Sequence, residues 1–166
     1  IAIGGQRRGM SYEEGAAHAT AFLNRVKAHA EDKGVTICLE IMNTKFTQPE
    51  LGRTDQICDH LAWGIGVCQR VNSPRVKLLF DIYHVQTMDG DVVRNIRDYF
   101  PWIAHFHTGG VPGRHEIDDT QELNYRFIAK AIADLGFTGY IAHEFRPSTG
   151  RDPIQGLAQA VEIFNV

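Results

Sequence analysis

The chain has 166 residues, 43% of them hydrophobic, enough for one globular domain of ordinary size. A net charge of −3 with both signs interspersed gives no basic footprint for nucleic acid, and no apolar run approaches the about 20 residues that span a bilayer. No signal-peptide pattern is present, and Cys38, Cys58 and Cys68, odd in number and without a CxxC, read as reduced, packed thiols of a cytoplasmic protein.

The chain starts at Ile1 rather than Met, inside an apolar segment, which is the expectation for a fragment. Ile1 to Gly5 reads as a strand end running into a glycine turn. Ser11-Tyr12-Glu13-Glu14 fits a capping box, and Ala19, Phe22, Leu23, Val26 and Ala30 recur at helical spacing. The spacing predicts a helix to about Asp32, ended by Gly34. Val35 to Ile41 is the next strand, carrying Glu40 near its end and followed by Asn43. Thr44 to Arg53 reads as a polar loop, and Thr54 as the cap of a helix from about Asp55 to Val71, weak at Gly64 and Gly66 and stopped by Asn72-Ser73-Pro74.

Val76 to Tyr83 reads as a strand buried on both faces, which implies a parallel sheet covered by helices. It delivers Asp81 at its end, with His84 three residues on. Taken alone, Asp81 reads as a cap of the following loop. A helix from Asp89-Gly90-Asp91 to Tyr99, a strand over Trp102 to His107 with His105 and His107 on one face, and a glycine-rich loop over Thr108 to Thr120 follow. Leu123 to Leu135 is a helix, Tyr140 to Phe145 the last strand, and the last helix starts after Asp152-Pro153. Strand then helix recurs five times with no two-residue hairpin signal, so the sheet is expected to be parallel. A doubly wound sheet and part of a (β/α)₈ barrel both fit; no phosphate-loop motif follows the first strand.

Four strands end alike: Glu40, Asp81 with His84, His107 with His105, and Glu144 with His143. At a barrel mouth these carboxylates and the imidazole converge, and three carboxylates so close need a positive partner. A divalent cation supplies it, and oxygen-rich ligands with one imidazole suit Mn²⁺ or Mg²⁺, with Co²⁺ or Zn²⁺ as further options.

Leu39-Glu40-Ile41-Met42-Asn43, Phe80-Asp81-Ile82-Tyr83-His84, His105-Phe106-His107 with Pro112-Gly113-Arg114-His115-Glu116, and His143-Glu144-Phe145 together resemble the hydroxypyruvate isomerase family. That family belongs to the xylose isomerase-like TIM barrels, and the likeness runs through essentially the whole chain. The resemblance implies that residues 1–166 form a single domain, the C-terminal part of a (β/α)₈ barrel (strands four to eight with their helices), without its first three β/α units. It makes Glu40, Asp81, His107 and Glu144 metal ligands. Related barrels commonly pair through this half, which makes a homo-oligomer one option while the oligomeric state itself stays open.

The implied chemistry moves a carbonyl between adjacent carbons. A cation on the substrate's two oxygens stabilises the enediolate, and Glu40 and Glu144 remove and return the proton. His84 is placed to donate to the developing oxyanion and Arg114 to hold a substrate carboxylate or hydroxyl. His105 and His143 read as supporting or core groups, and His18, His29 and His60 as helix-surface residues. His115 and Glu116 have no assigned role. The leading expectation is an aldose–ketose type isomerase converting hydroxypyruvate to 2-hydroxy-3-oxopropanoate, acting on a small sugar or hydroxy-keto acid. A ketose 3-epimerase or inosose dehydratase-like enzyme is the alternative. An endonuclease IV-like nuclease would need more histidine ligands and a basic groove.

Overall fold

The computed structural model describes residues 1–5, 7–45, 47–48, 52–53 and 55–166. Strand β1 (Ala2–Ile3) leads into helix α1 (Tyr12–Lys33), whose capping box forms between Ser11 and Glu14 and whose end is closed by Gly34 in the left-handed conformation that suits glycine. β2 (Ile37–Glu40) follows, then a small antiparallel pair, β3 (Thr47–Gln48) and β4 (Gly52–Arg53), inside the segment expected to be a loop. Three residues separate these two strands, so the pair escapes a search for two-residue turns.

Helix α2 (Leu61–Val71) starts six residues later than its sequence pattern suggests. Ile57 and Cys58 instead hydrogen-bond to the segments just after the first two strands, Ile57 N–H donating to Gly5 O at 3.1 Å and Met42 N–H to Cys58 O at 2.7 Å. The expected cap, Thr54, lies outside the described residues. The cap that α2 uses comes from a distant element: Asp89 accepts from Leu61 N at 2.8 Å and meets His60 Nδ1 at 2.6 Å. His60 is therefore a capping partner rather than a plain helix-surface residue, whereas His18 and His29 are exposed as expected. Gly64 is no weak spot. A Cβ there would stand 2.9 Å from Ile41 Cδ1 and 3.0 Å from Leu78 Cδ2, so its absence lets α2 lie close on the sheet.

β5 (Val76–Asp81) is the central strand, with Val76, Leu78, Leu79 and Phe80 fully buried. It stops at Asp81 rather than Tyr83, because Asp81 Oδ1 accepts from His84 N at 3.1 Å and starts helix α3 (Ile82–Met88) without an intervening loop. Then come α4 (Val92–Tyr99), a 3₁₀ turn at Phe100–Trp102, β6 (Ile103–Thr108), α5 (Tyr125–Asp134), β7 (Tyr140–His143) and α6 (Pro153–Ile163).

The five long-range strands are all parallel in the order β1-β2-β5-β6-β7. Each unit adds to the same side of its predecessor. A doubly wound sheet must reverse direction at a switch point, so this order is that of a barrel wall. One face carries Leu39, Leu78, Phe80, Ile103 and Phe106, packed against apolar residues of α1, α2, α4 and α5, with the Phe80 and Phe106 rings 5.7 Å apart. Burying each such side chain contributes on the order of 2 kcal/mol. Among the described residues no helix is long and apolar enough to cross a membrane. Cys58 and Cys68 are buried and Cys38 half-buried, all three free thiols.

Candidate functional site

Side chains of paired residues in a parallel sheet share a face, and alternate along each strand. Glu40 pairs with Leu79, and Leu79 with His105. Two residues further on, Asp81 pairs with His107 and His107 with Ala142. All of these stand on the face opposite the helices. An irregularity in the β5–β6 pairing contributes: Leu78 pairs with Ile103 but Leu79 with His105, so β6 gains a residue and His107 comes level with Asp81. Glu144 continues the alternation just beyond β7, its N–H donating to Thr108 O at 3.0 Å.

The four strand-end residues accordingly meet. One donor atom from each of Glu40, Asp81, His107 and Glu144 lies within 4.8 Å of the others, a grouping able to hold a metal ion. His107 Nδ1 is 3.5 Å from Glu40 Oε1, 3.9 Å from Asp81 Oδ2 and 2.6 Å from Glu144 Oε2. Glu40, Asp81 and His107 are buried, while the Glu144 side chain is half exposed at the mouth.

Arg114 is in the same cluster. Its Nη2 donates to Asp81 Oδ2 at 2.9 Å and to Glu144 Oε2 at 2.6 Å, with the guanidinium 5.3 Å from the Tyr83 ring centre. The sequence points this arginine toward a substrate; in the structure it also supplies part of the positive charge that the carboxylates require. Tyr83 is a contact that sequence reasoning passed over, although it is the tyrosine of the stretch Asp81-Ile82-Tyr83-His84.

His84 is held by Asn43, whose side-chain nitrogen lies 2.6 Å from His84 Nδ1. With the amide donating, Nδ1 accepts and the proton sits on Nε2, which is 3.6 Å from Asp81 Oδ2. Burial, and then the nearby Arg114 charge, push His84 down to about 3, so the ring is neutral. Asn43 stood in the sequence three residues beyond Glu40 without a role, and the structure gives it one.

The charges divide unequally. Burial raises Asp81 to about 6 against the opposing pull of Arg114. Burial lowers His107, but the Glu144 and Glu40 carboxylates outweigh it and raise the ring to about 9. Glu144 is lowered by His107 and then, against burial, by Arg114. Three buried polar atoms of this cluster, His84 Nε2, His107 Nδ1 and Arg114 Nε, make no hydrogen bond; the close approach of His107 Nδ1 to Glu144 lacks hydrogen-bond alignment. Buried polar atoms without a partner are costly unless a ligand meets them.

His105 stands beside His107 with ring centres 5.0 Å apart and so flanks the cluster, whereas His143, paired with Thr108, faces the helices, its Nδ1 2.9 Å from Thr108 Oγ1 and its ring 5.5 Å from that of Phe164. His115 and Glu116 lie outside it. His115 Nδ1 is 2.8 Å from Arg146 O, and the buried Glu116 carboxylate accepts from Ser148 N at 2.9 Å and Ser148 Oγ at 2.6 Å. Burial raises Glu116, yet these hydrogen bonds and Arg151 hold it down to about 2.

Known proteins share this arrangement of strands. The "Putative hydroxypyruvate isomerase" of Xenopus laevis is 35% identical over 125 residues, 75% of this chain and 42% of that protein. The 2-oxo-tetronate isomerase of Cupriavidus necator is 35% identical over 122 residues, 73% of this chain and 44% of that protein. The crystal structure of an AP endonuclease, family 2, from Brucella melitensis superposes with a TM-score of 0.85 at 27% identity, covering 97% of this chain and 59% of that one. The chain thus spans about half or less of the length of the curated relatives it matches. The family model described as xylose isomerase-like TIM barrel extends over residues 1–165. Sequential parallel strands, polar groups at their carboxyl ends and a match along nearly the whole chain agree: the chain belongs to the xylose isomerase-like TIM barrel family.

Proposed function

We propose that this chain carries the metal-binding part of the active site of an isomerase for small hydroxy-keto acids, with hydroxypyruvate and 2-hydroxy-3-oxopropanoate as the interconverted pair. The observation that carries the reading is the convergence of Glu40, Asp81, His107 and Glu144 within 4.8 Å, with Arg114 and His84 beside them. The donor set fits a divalent cation: three carboxylates and one imidazole, whose buried Nδ1 makes no hydrogen bond. Mn²⁺ or Mg²⁺ suits these ligands best, and bound there the ion would polarise adjacent substrate oxygens and so acidify the C–H bond between them.

The side chains divide the remaining work. Glu40 and Glu144 approach from the ends of β2 and β7, so one takes a proton from the hydroxymethyl carbon and the same or the other returns it to the neighbouring carbon. The hydroxyl proton moves to the former carbonyl oxygen, and the sum is an isomerisation without external oxidant. His84, neutral with its proton on Nε2, donates to the oxygen that gains charge. Arg114, forked and only partly engaged by the carboxylates, holds the substrate carboxylate. The relative from Cupriavidus necator favours 2-oxo-tetronate as a second substrate of the same chemistry.

The same reading makes residues 1–166 a single domain, the last five β/α units of an eight-unit barrel. Its support is at the two edges: Ile3 on β1 and Tyr140 on β7 are 55% and 83% exposed, on the face that a closed barrel would line. The nuclease reading suggested by the Brucella melitensis relative's name calls for a basic surface and several histidine ligands. A net charge of −3 and one histidine in the cluster favour the isomerase.

The test is proton exchange. In D₂O with Mn²⁺, the chain is expected to replace the C3 hydrogens of hydroxypyruvate by deuterium, followed by proton NMR, and Glu40→Gln and Glu144→Gln to abolish it. Exchange at the same rate in both variants, or cleavage of abasic DNA in its place, overturns the proposal.

A further inference from the structure

The Gly113-Arg114-His115-Glu116 motif contains two titratable side chains, His115 and Glu116, that the proposed reaction does not use. We infer that Glu116 is a positioning residue: by gripping Ser148 it locks the loop after β6 to the loop after β7, and thereby fixes Arg114 against Glu144. Glu116 is only 2% exposed, and both of its oxygens are engaged across the loop boundary. Oε1 accepts from Ser148 N at 2.9 Å, while Oε2 accepts from Ser148 Oγ at 2.6 Å and faces Arg151 Nη1 at 3.4 Å.

The grip is continued on both sides. Arg146 N–H donates to Arg114 O at 2.6 Å, His115 Nδ1 is 2.8 Å from Arg146 O, and Arg151 Nη2 pairs with Asp118 at 2.7 Å. Arg114 itself sits at φ +62°, an unfavourable conformation for a side chain with a Cβ, so it needs its surroundings to hold it. The base of the loop is equally tight: Gly110 N–H donates to His115 O and Arg114 N–H to Gly110 O, each at 2.8 Å, and a Cβ at position 110 would collide with Glu116 O. A buried carboxylate that spends its hydrogen bonds on a neighbouring loop is a strut between backbones. Its two loops carry the one arginine and the one exposed carboxylate of the cluster, Arg114 and Glu144, the latter four residues before Ser148.

The experiment has two arms, on the chain labelled with ¹⁵N. The first follows the Arg114 Nε–H resonance in wild type, Glu116→Ala and the milder Ser148→Ala. Arg114 Nε is expected to be as rigid as the backbone in wild type and, in both variants, as mobile as the exposed Arg94 side chain. A role confined to overall stability leaves that resonance unmoved in the folded molecule, and an unmoved resonance in the folded Ser148→Ala chain overturns the inference. The second arm, which rests on the isomerase reading, measures hydroxypyruvate affinity. Glu116→Ala and Arg114→Ala should each weaken it about tenfold, and the double variant no further, the signature of one residue acting through the other. Additive losses overturn the inference. Unchanged binding in Arg114→Ala overturns the substrate role given to that arginine, while the first arm still decides whether Glu116 positions it.

Discussion

Arg114 and Glu144 meet at 2.6 Å although they belong to different β/α units, one in the loop after β6 and the other at the end of β7. The contact closes the cluster on its open side, since Glu144 is its one exposed member. It also ties the proposed substrate arginine to a proposed ligand and base.

Removal of Glu144 should therefore be felt in metal affinity before anything else. Glu144→Gln keeps the shape but removes the charge, and Mn²⁺ binding is expected to weaken by at least about 100-fold, beyond the usual cost of losing a supporting partner. Calorimetric titration of Mn²⁺ into both chains measures this, and retained affinity would place the cation elsewhere.

Loss of the guanidinium should appear in Asp81. Arg114 lowers a carboxyl that burial has already raised to about 6. Arg114→Met is expected to move the Asp81 titration above 6, followed through its carboxyl ¹³C shift. A titration that stays in place would mean the 2.9 Å contact is not kept in solution.

The alkaline side of the stability profile should belong to His107. Its folded value of about 9 lies above the ordinary 6.5, so its contribution is complete below pH 6.5 and is lost as pH rises through 9. Asp81, raised from 3.8 to about 6, adds a loss of the same sign between those values. Glu116, held at about 2 against an ordinary 4.5, acts in the other direction, its contribution present above pH 4.5 and lost as pH falls through 2. The unfolding free energy from urea titrations should fall between pH 6.5 and 9 by at most on the order of 3 kcal/mol, and His107→Gln should flatten that limb. Because an imidazole ligand must shed its proton, Mn²⁺ affinity should climb over the same interval.

Asn43 should set the tautomer of His84. Asn43→Ala leaves Nδ1 without its donor in a buried place, at a cost of about 1–3 kcal/mol. The ¹⁵N shifts of His84 should change from a single Nε2–H form to a mixture, and an unchanged spectrum would assign the tautomer to another contact.

Gly64 tests the helix-to-sheet contact. Gly64→Val adds branched bulk 2.9 Å from Ile41 and 3.0 Å from Leu78 and should destabilise the chain by roughly 2–3 kcal/mol, read as a lower urea midpoint at unchanged slope.

Much of this protein was legible in one dimension because its signals are local or periodic. The capping box at Ser11, the stop at Gly34, the apolar run of β5 and the proline start of α6 each depend on residues a few positions apart. The four strand-end groups were legible for the same reason: a polar residue that ends a buried strand stands at the carboxyl edge whatever the rest of the chain does. Partners hundreds of atoms away were not legible. The start of α2 depends on Asp89, and the early stop of β5 on whether Asp81 turns to cap His84. The tautomer of His84 depends on Asn43 and the placing of Arg114 on Glu116 and Ser148. Sequence determined which residues reach the mouth of the sheet, since alternation along a strand is a property of the backbone. Only the tertiary structure decided which of them touch, because hydrogen bonds and charges between loops depend on distances that no local pattern encodes.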